Sequence, residues 1–449
     1  MTTLPPGPAE PPVLQTLRWL LRPISFLESC RRRFGDVFSV RFLGFQTPLV
    51  MISDPEAIQA LYTAREHGLP SGRTLALQPI LGSRSVLLLE GSEHLARRRL
   101  MLPPFHGERM RAYESIVAEA VARDVESWPT GSPFALHPHM QAVTLEVIVR
   151  AVFGVTDPGR RQELTGRLGR LLETSASAGL QFGVLLSRRL GGPDPLERLR
   201  ALLGEIDALL AAEIADRRAD PREDILSMLV AARFEDGEPM DDGEVRDQLM
   251  TLLVAGHETT ATGLAWTFDL LLRHPRVLER VIAAVDAGDE AYVRAVVSES
   301  LRLRPVVPLA GRRLSTELRV DGHVLPPGTD VTPAIWLAHT RADRYPEPYA
   351  FRPERFLENA PSTYAWIPFG GGVRRCLGAA FAEMEMRIAL REILRRRSLR
   401  PASPVAERVA RRNVTFSPAD GTRVIAAVRA PSAAADAPRA TEPAGAAVD

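Results

Sequence analysis

The chain has 449 residues, of which 45% are hydrophobic and 25% charged, and its formal net charge is +1. This balance is typical of a globular protein and gives no reason to expect a nucleic-acid partner. With only two cysteines, Cys30 and Cys376, the sequence excludes a disulfide framework and a zinc or iron–sulfur site built from four thiolates. The start lacks a signal-peptide pattern, and the apolar run at residues 17–21 is too short to cross a bilayer. We therefore expect a cytoplasmic protein without a membrane span.

The elements predicted along the chain are mostly helical. Residues 1–12 form an extended, proline-rich N-terminal segment, and residues 36–40 and 47–51 alternate as two strands of a hairpin. Helical patterns then fill most of residues 92–304, with breaks where proline and glycine cluster. Within them, the apolar stretch 245–273 predicts one rod of about 43 Å at 1.5 Å per residue.

The last third of the sequence returns to short strands before a final helix. Strand patterns cover residues 318–332, an irregular stretch rich in proline and aromatic residues covers 345–369, and a strong helix opens near Cys376. Residues 431–449 are rich in alanine and proline without aromatic residues, so we expect disorder there. The whole pattern predicts a mainly α-helical protein with a small β region, organised as one domain over residues 13–430.

The most informative segment is residues 369–378, around Cys376. Three consecutive glycines allow the backbone to approach a flat surface closely and permit positive φ angles. Cys376 falls at the start of a helix, where free N–H groups favour a thiolate over a thiol. A thiolate at a cramped, glycine-lined site is what an axial haem ligand requires. Phe369 can pack beside the sulfur and Arg374 can reach an anionic propionate, whereas a buried structural cysteine is the alternative interpretation.

This segment matches the pattern Phe-x-x-Gly-x-Arg-x-Cys-x-Gly at every position and ends at Gly378. It resembles the haem-binding loop of cytochromes P-450. The resemblance implies the cytochrome P-450 fold, a triangular helical domain with a small β region. It also implies haem b (iron protoporphyrin IX) as the cofactor and Cys376 as the iron ligand, with Phe369, Arg374 and Gly378 in the binding loop.

A second motif lies in the middle of the long predicted helix, at residues 255–260 (AGHETT). Alone it is weak, because packing or surface polarity also explains it. In cytochromes P-450 an acid–alcohol pair of this helix lies over the iron, so the resemblance implies that Thr259 hydrogen-bonds bound dioxygen and Glu258 feeds it protons. Such a relay is chemically sensible, since splitting the O–O bond needs protons at the distal oxygen.

Basic residues that can hold the propionates lie in three places. His94 and Arg98 are four residues apart on one predicted helix face, which resembles the P-450 helix that binds a propionate; a basic solvated helix is the alternative. Arg313 matches another propionate-binding arginine of the family, although Arg312 beside it leaves the register open. With Arg374, these residues would neutralise both carboxylates.

A third motif points to structure and not to chemistry. Glu299 and Arg302 are three residues apart on one helix face, where they can pair. The same spacing recurs elsewhere in the chain, so by itself it says almost nothing. The resemblance implies that Arg355 joins them and that the three residues have a structural role in forming the haem pocket.

The implied reaction inserts one atom of O2 into an apolar small molecule and reduces the other atom to water. A terpenoid, steroid, fatty acid or polyketide of secondary metabolism fits the mostly aliphatic candidate pocket segments, which are residues 75–86, 180–184, 253–255, 306–311 and 414–416. Electrons must come from a ferredoxin or flavodoxin with an NAD(P)H-dependent reductase. An arginine-rich face would attract an acidic donor; its residues are Arg109, Arg111, Arg374 and Arg375.

Two other functions stay open at this point, and we expect a monomer in each case. A peroxide-driven peroxygenase would keep the thiolate loop but typically lose the acid–alcohol pair, so Glu258 and Thr259 argue against it. A non-catalytic haem-thiolate sensor would need the loop but neither a relay nor a substrate cavity.

Overall fold

Helices dominate the fold, and the prediction of a mainly α-helical protein with a small β region is confirmed. The computed structural model describes residues 4–45, 47–64, 67–70, 78–176, 197–412 and 414–429. Within them the helices are α1 (Pro12–Leu21), α2 (Pro23–Phe34), α3 (Pro55–Thr63), α4 (Gly91–Met101), α5 (Arg109–Glu126), α6 (Leu136–Val147), α7 (Pro158–Ala176), α8 (Glu197–Ala219), α9 (Ile225–Ala231), α10 (Asp242–Arg273), α11 (Pro275–Ala287), α12 (Glu290–Leu303), α13 (Ile335–His339), α14 (Arg355–Glu358) and α15 (Ala379–Arg396). The strands are β1 (Val37–Val40), β2 (Leu49–Ile52), β3 (Pro133–Ala135), β4 (Arg312–Arg313), β5 (Leu318–Val320), β6 (His323–Leu325), β7 (Asp330–Pro333), β8 (Arg397–Pro401), β9 (Val409–Arg412), β10 (Thr415–Pro418) and β11 (Arg423–Val428). Turns of 3-10 helix lie at Pro103–Phe105 and Gly372–Arg374, and a π-helical turn, Ile148–Val152, continues α6.

Helix α10 is the long helix predicted from the apolar stretch, and it passes through the core. Its 32 residues give a length of about 48 Å. It begins three residues before the predicted start because Asp241 caps it, accepting the backbone N–H of Glu244 at 2.9 Å. It packs against α6, α8, α9, α11, α12 and α15. A helix enclosed in this way is apolar around most of its circumference, which explains the near-continuous apolar sequence.

A four-stranded sheet with the order β1-β2-β7-β4 connects distant parts of the chain. Strands β1 and β2 form the predicted antiparallel hairpin, with Val37 opposite Ile52. Strand β2 also pairs with β7 in parallel, with Leu49 opposite Asp330. Smaller sheets pair β5 with β6, β9 with β10, and β11 with both β3 and β8.

Some predictions fall outside the described residues. They are the disorder of residues 431–449, the pocket segment 180–184 and the first part of the pocket segment 75–86. Within the described part of the chain, no helix combines the length and apolar character needed to span a membrane.

Candidate functional site

The glycines of the cysteine loop are required by close packing against Tyr62. Gly370 and Gly372 have φ angles of 67° and 65°, in the left-handed region that favours glycine. A Cβ atom at Gly372 would lie 2.0 Å from the carbonyl oxygen of Tyr62, and one at Gly371 would lie 2.4 Å from its ring. The loop is closed by the backbone N–H of Cys376, which donates to the carbonyl of Phe369 at 2.9 Å. Side chains other than hydrogen would therefore push this loop away from α3.

The thiol of Cys376 borders a space inside the protein. Cys376 has an accessible surface, but protein surrounds the space that this surface faces. Burial therefore raises the pKa of the thiol. The backbone N–H of Gly378, which precedes α15, and the Arg98 and Arg375 guanidinium groups act in the opposite direction. The sequence predicted a thiolate favoured by the helix N-terminus. In the folded protein burial outweighs that effect, so the thiolate form needs a further positive partner.

The middle of helix α10 borders an internal space as well. Ala255 is exposed although most of the surrounding helix is buried, and Thr259 is only half-buried. The Thr259 hydroxyl donates to the carbonyl of Ala255 at 2.6 Å, as expected of a threonine that turns back on its own helix. A Cβ atom at Gly256 would already meet Ile148 at 3.4 Å. Exposure at the centre of an enclosed helix indicates a cavity beside this stretch.

The carboxyl group of Glu258 is held by residues of helix α6. Its Oε2 accepts a hydrogen bond from the Gln141 Nε2 at 2.6 Å, and its Oε1 lies 3.3 Å from the Thr262 hydroxyl and 3.6 Å from the His137 Nε2. Burial raises the pKa of Glu258, and the Gln141 hydrogen bond, the Arg412 charge and the Thr262 hydrogen bond lower it. Sequence reasoning missed Gln141 and His137, because single polar residues on a separate helix carry no recognisable motif.

A cluster of basic groups surrounds His94. Burial and the charges of Arg374, Arg98 and Arg312 lower the pKa of His94 to about 4, so the imidazole is neutral at physiological pH. Arg374 donates to the carbonyl of Leu89 at 2.5 Å. Among the described residues no carboxylate lies within ion-pair distance of Arg98, whose charge instead acts on Cys376. This cluster is suited to bind an anion.

The two arginines of β4 have different surroundings. Arg312 is buried and lies within electrostatic range of His94, with its Nη2 donating to the carbonyl of Gly371 at 3.2 Å. The Arg313 side chain is 42% exposed and approaches Asp330 at 3.7 Å. Neighbouring residues of a strand point to opposite faces, and Arg312 is the one whose charge acts on His94. Arg312 is therefore a second candidate for binding a propionate, and the role of Arg313 stays a prediction.

Glu299, Arg302 and Arg355 come together in a buried cluster. Arg302 makes a bidentate ion pair with Glu299 at 2.6 and 2.8 Å, and Arg355 reaches the same carboxylate at 3.1 Å. Arg302 also donates to the carbonyls of His339, Pro348 and Ala350. The cluster thus joins α12 to the irregular segment that leads to the cysteine loop.

These groups together fit a haem. A buried thiol can bind iron, the adjoining basic cluster can offset two propionates, and the cavity beside α10 leaves room over the metal. Burial raises the pKa of the Cys376 thiol, and a bound iron would supply the positive charge that stabilises the thiolate. The roles of the individual residues stay predictions.

Comparison with known proteins gives the family. The family model described as cytochrome P450 matches residues 5–417. The chain is 44% identical over 435 residues to the provisionally named cytochrome P450 135B1 of Mycobacterium tuberculosis, covering 94% of this chain and 91% of that protein. It is 40% identical over 398 residues to the provisionally named cytochrome P450 137 of the same species, covering 88% of this chain and 83% of that protein.

Solved structures agree with this assignment. Retinoic acid-bound cyanobacterial CYP120A1 superposes with a TM-score of 0.81 at 26% identity, covering 96% of this chain and 100% of that one. The haem domain of cytochrome P450DA shares the fold, with a TM-score of 0.83 at 22% identity over 96% of this chain and 99% of that one. The chain belongs to the cytochrome P450 family.

Proposed function

We propose that this chain inserts one oxygen atom of O2 into a neutral, lipophilic small molecule, with Cys376 as the iron ligand. Membership of the cytochrome P450 family makes it a monooxygenase with haem b as its cofactor. The substrate class, the electron donor and the residue roles are our proposal. The observation that carries it is the Cys376 thiol, which borders an internal space next to the guanidinium of Arg98, and in the described part of the chain no carboxylate pairs with that guanidinium.

The bound haem supplies the chemistry of oxygen activation. The chain's own residues hold it: the Cys376 sulfur binds the iron, and His94, Arg98 and Arg374 bind the propionates together with Arg312. Phe369 and Gly378 complete the loop, since the Phe369 carbonyl accepts the Cys376 N–H. Neutral His94 donates a hydrogen bond, while the guanidinium groups contribute charge.

Glu258 and Thr259 supply and deliver protons at the cavity. The Thr259 hydroxyl donates a hydrogen bond to the carbonyl of Ala255, and rotation of the hydroxyl can point its proton into the cavity. Burial raises the pKa of Glu258, so its carboxyl group can carry a proton closer to neutral pH than an exposed glutamate can. We assign Glu258 as the proton source and Thr259 as the hydroxyl that delivers the proton.

An apolar substrate is supported by the described pocket segments. Ala255 lies on α10 beside the cavity, and the Phe416 backbone N–H donates to the Val306 carbonyl at 2.7 Å, which brings two further predicted segments together. One solved relative is described as retinoic acid-bound. A terpenoid, steroid, fatty acid or polyketide of secondary metabolism, hydroxylated or otherwise oxygenated, is the substrate class we propose.

We further propose an acidic ferredoxin or flavodoxin as the electron donor, itself reduced by an NAD(P)H-dependent reductase. Arg109, Arg111 and Arg375 are exposed and offer a basic surface to such a partner. The protein would work as a cytoplasmic monomer.

The two cysteines give a matched test of the ligand. Purified holoenzyme, reduced under carbon monoxide, should show the thiolate-type Soret band, and Cys30→Ala should show the same band. Cys376→Ser should lose it, because the sulfur donor is gone. A thiolate spectrum that persists in Cys376→Ser would refute the assignment.

Turnover of a lipophilic library with surrogate ferredoxin, reductase and isotopically labelled O2 tests the reaction. We expect product that carries one labelled oxygen atom. Product formed only from added peroxide would favour a peroxygenase, and no product with any compound under either condition would favour a sensor.

A further inference from the structure

A row of buried hydroxyl groups leads away from Glu258 toward strand β10 and begins at Thr262, one turn further along helix α10. The Thr262 Oγ1 lies 3.3 Å from the Glu258 Oε1 and 3.4 Å from the Ser417 Oγ. The Ser417 Oγ lies 3.2 Å from the Thr415 Oγ1, which in turn donates to the Arg412 carbonyl at 2.9 Å. Each step is within hydrogen-bond distance.

The row begins in the core and ends at the surface. Thr262 and Ser417 are fully buried and Thr415 is 2% exposed, whereas Arg412, at the end of strand β9, is exposed. Val414, next to Thr415, is 60% exposed. The outermost hydroxyl is therefore flanked in the β9–β10 hairpin by residues that reach the surface.

The environment of Thr262 orients the row toward Glu258. A hydroxyl has one proton to donate and two lone pairs. Thr262 can donate to the Glu258 carboxylate while it accepts from Ser417 and from the His137 Nε2, which lies 3.1 Å away. Burial lowers the pKa of His137 to about 3, so this imidazole is neutral and acts by hydrogen bonding and not by charge.

We propose that Glu258 receives its protons through this row from water at the β9–β10 hairpin, and not from the substrate cavity. The hydroxyl groups, from the outside inward, are Thr415, Ser417 and Thr262. The inference rests on the proposed role of Glu258 as the proton source. A lipophilic substrate displaces water from the cavity, so a route through buried hydroxyl groups to the β9–β10 hairpin would keep working while the cavity is filled.

The transfer is balanced at each step. The Thr415 hydroxyl first turns its proton from the Arg412 carbonyl toward Ser417. Thr415 then gives this proton to Ser417 as it takes one from water, and Ser417 gives its own to Thr262. Thr262 then gives its hydroxyl proton to the Glu258 carboxylate. Every hydroxyl keeps one proton, the water becomes hydroxide that bulk buffer neutralises, and the O–H groups rotate back before the next transfer.

The described histidines near Glu258 hold no extra proton that they could pass to it. His137 is neutral, and burial lowers the pKa of His257 to about 4, which leaves it neutral too. The positive charge of Arg412 lowers the pKa of both Glu258 and His137 from a distance. Gln141 holds the second carboxylate oxygen but carries no titratable proton.

Infrared spectroscopy of the ferric holoenzyme tests the route without turnover. The difference between wild type and Glu258→Gln identifies the C=O stretch of protonated Glu258, and mixing with D2O then gives its exchange rate. Thr262→Val should slow this exchange on the order of tenfold or more. Thr262→Ser keeps the hydroxyl and should restore the wild-type rate.

Thr267→Val is the matched control, since Thr267 is fully buried on the same helix and donates to the Gly263 carbonyl at 2.8 Å, outside the row. Ser417→Ala is a second variant that should also slow exchange if Thr262→Val does not fold. Equal exchange rates in wild type, Thr262→Val and Ser417→Ala would overturn the proposal. A Glu258 carboxyl that shows no protonated band at any pH where the protein is folded would overturn it as well.

Coupling of NAD(P)H oxidation to product separates this proposal from the role of Glu258. If Glu258→Gln uncouples turnover but exchange is unchanged in Thr262→Val, the hydroxyl route fails and the role of Glu258 stands. If Glu258→Gln stays fully coupled, the role of Glu258 fails, whatever the exchange rates are.

Discussion

Glu385 is a carboxyl group buried in helix α15, and no charged group pairs with it in the part of the chain that the structure describes. It is 3% exposed, and among the described residues its Oε1 accepts no hydrogen bond. Burial raises its pKa from 4.5 to about 8. The unfolded chain loses this proton above about pH 4.5, whereas the folded protein keeps it up to about pH 8. Folding therefore becomes less favourable as the pH rises between these values.

Replacing Glu385 by glutamine should remove that penalty. The free energy of unfolding of wild type, relative to Glu385→Gln, should fall by on the order of 3 kcal/mol between about pH 5 and about pH 8. Urea unfolding followed by circular dichroism at both pH values measures it. The exposed Glu114→Gln is the control and should follow wild type. Parallel pH profiles of wild type and Glu385→Gln would contradict the prediction.

Thr259 should determine what fraction of the NAD(P)H consumed leads to product. In Thr259→Ala the hydroxyl at the cavity is lost, so proton delivery should slow. The hydrogen peroxide formed per NAD(P)H consumed should then rise several-fold. Peroxide and product are quantified together against NAD(P)H. Thr260→Ala, a change at the adjacent buried hydroxyl, is the control. Tightly coupled turnover in Thr259→Ala would show that another group delivers the protons.

Single residues were predictable only where a motif surrounds them. Cys376 stands in a ten-residue pattern, and Glu258 and Thr259 follow from a resemblance that the pattern supports. Gln141 and His137 lie on a helix more than a hundred positions earlier in the sequence than Glu258. No local sequence pattern predicts their contacts with it.

At the scale of elements, the cluster on helix α12 holds an irregular segment in place. Arg302 is fully buried, and its guanidinium binds the Glu299 carboxylate and the backbone of residues 339–350. Removing one partner of a buried ion pair leaves the other charge uncompensated, which costs roughly 3–5 kcal/mol. The irregular segment would then lose its attachment ahead of the cysteine loop.

Arg302→Ala should therefore give insoluble protein or protein that does not retain haem. Soluble yield and the carbon-monoxide difference spectrum measure both effects. Arg352→Ala is a suitable control, because Arg352 is exposed and pairs with Glu358 at 2.9 Å at the surface of the same segment. A normal yield of holoenzyme with Arg302→Ala would contradict the structural role.

Elements with strong local patterns were predicted well. The long apolar stretch became α10, and the alternating residues before position 52 became the β1–β2 hairpin. The register of Arg312 and Arg313 could not be predicted, because two adjacent arginines fit the same pattern and only strand pairing decides which one faces inward. The parallel pairing of β2 with β7 joins residues almost 300 positions apart and has no local signature.

At the scale of the whole molecule, the docking surface that we propose for the electron donor is basic. Arg109, Arg111 and Arg375 are exposed, and Arg375 belongs to the cysteine loop. An acidic electron donor would be attracted to this face, and salt weakens such attraction because the Debye length falls to about 10 Å at 0.1 M. The rate of donor-dependent reduction should thus fall as ionic strength rises.

Stopped-flow reduction of the haem by reduced ferredoxin measures this rate. Arg111→Glu should lower it and flatten its salt dependence, while reduction by dithionite stays unchanged. Arg319→Glu, in the β5–β6 ribbon, is the charge-matched control. An Arg111→Glu variant with the wild-type rate and salt dependence would argue against this face as the docking surface.

The reactivity of the two cysteines toward a thiol reagent should report whether the protein has kept its haem. Cys30 is 3% exposed and burial raises its pKa to about 11, so this thiol is both inaccessible and protonated and should be inert toward alkylating reagents. Cys376 is accessible in the protein without haem, but iron bound to its sulfur would shield it. An intact sample should consume no maleimide, and each molecule that has lost its prosthetic group should consume one equivalent.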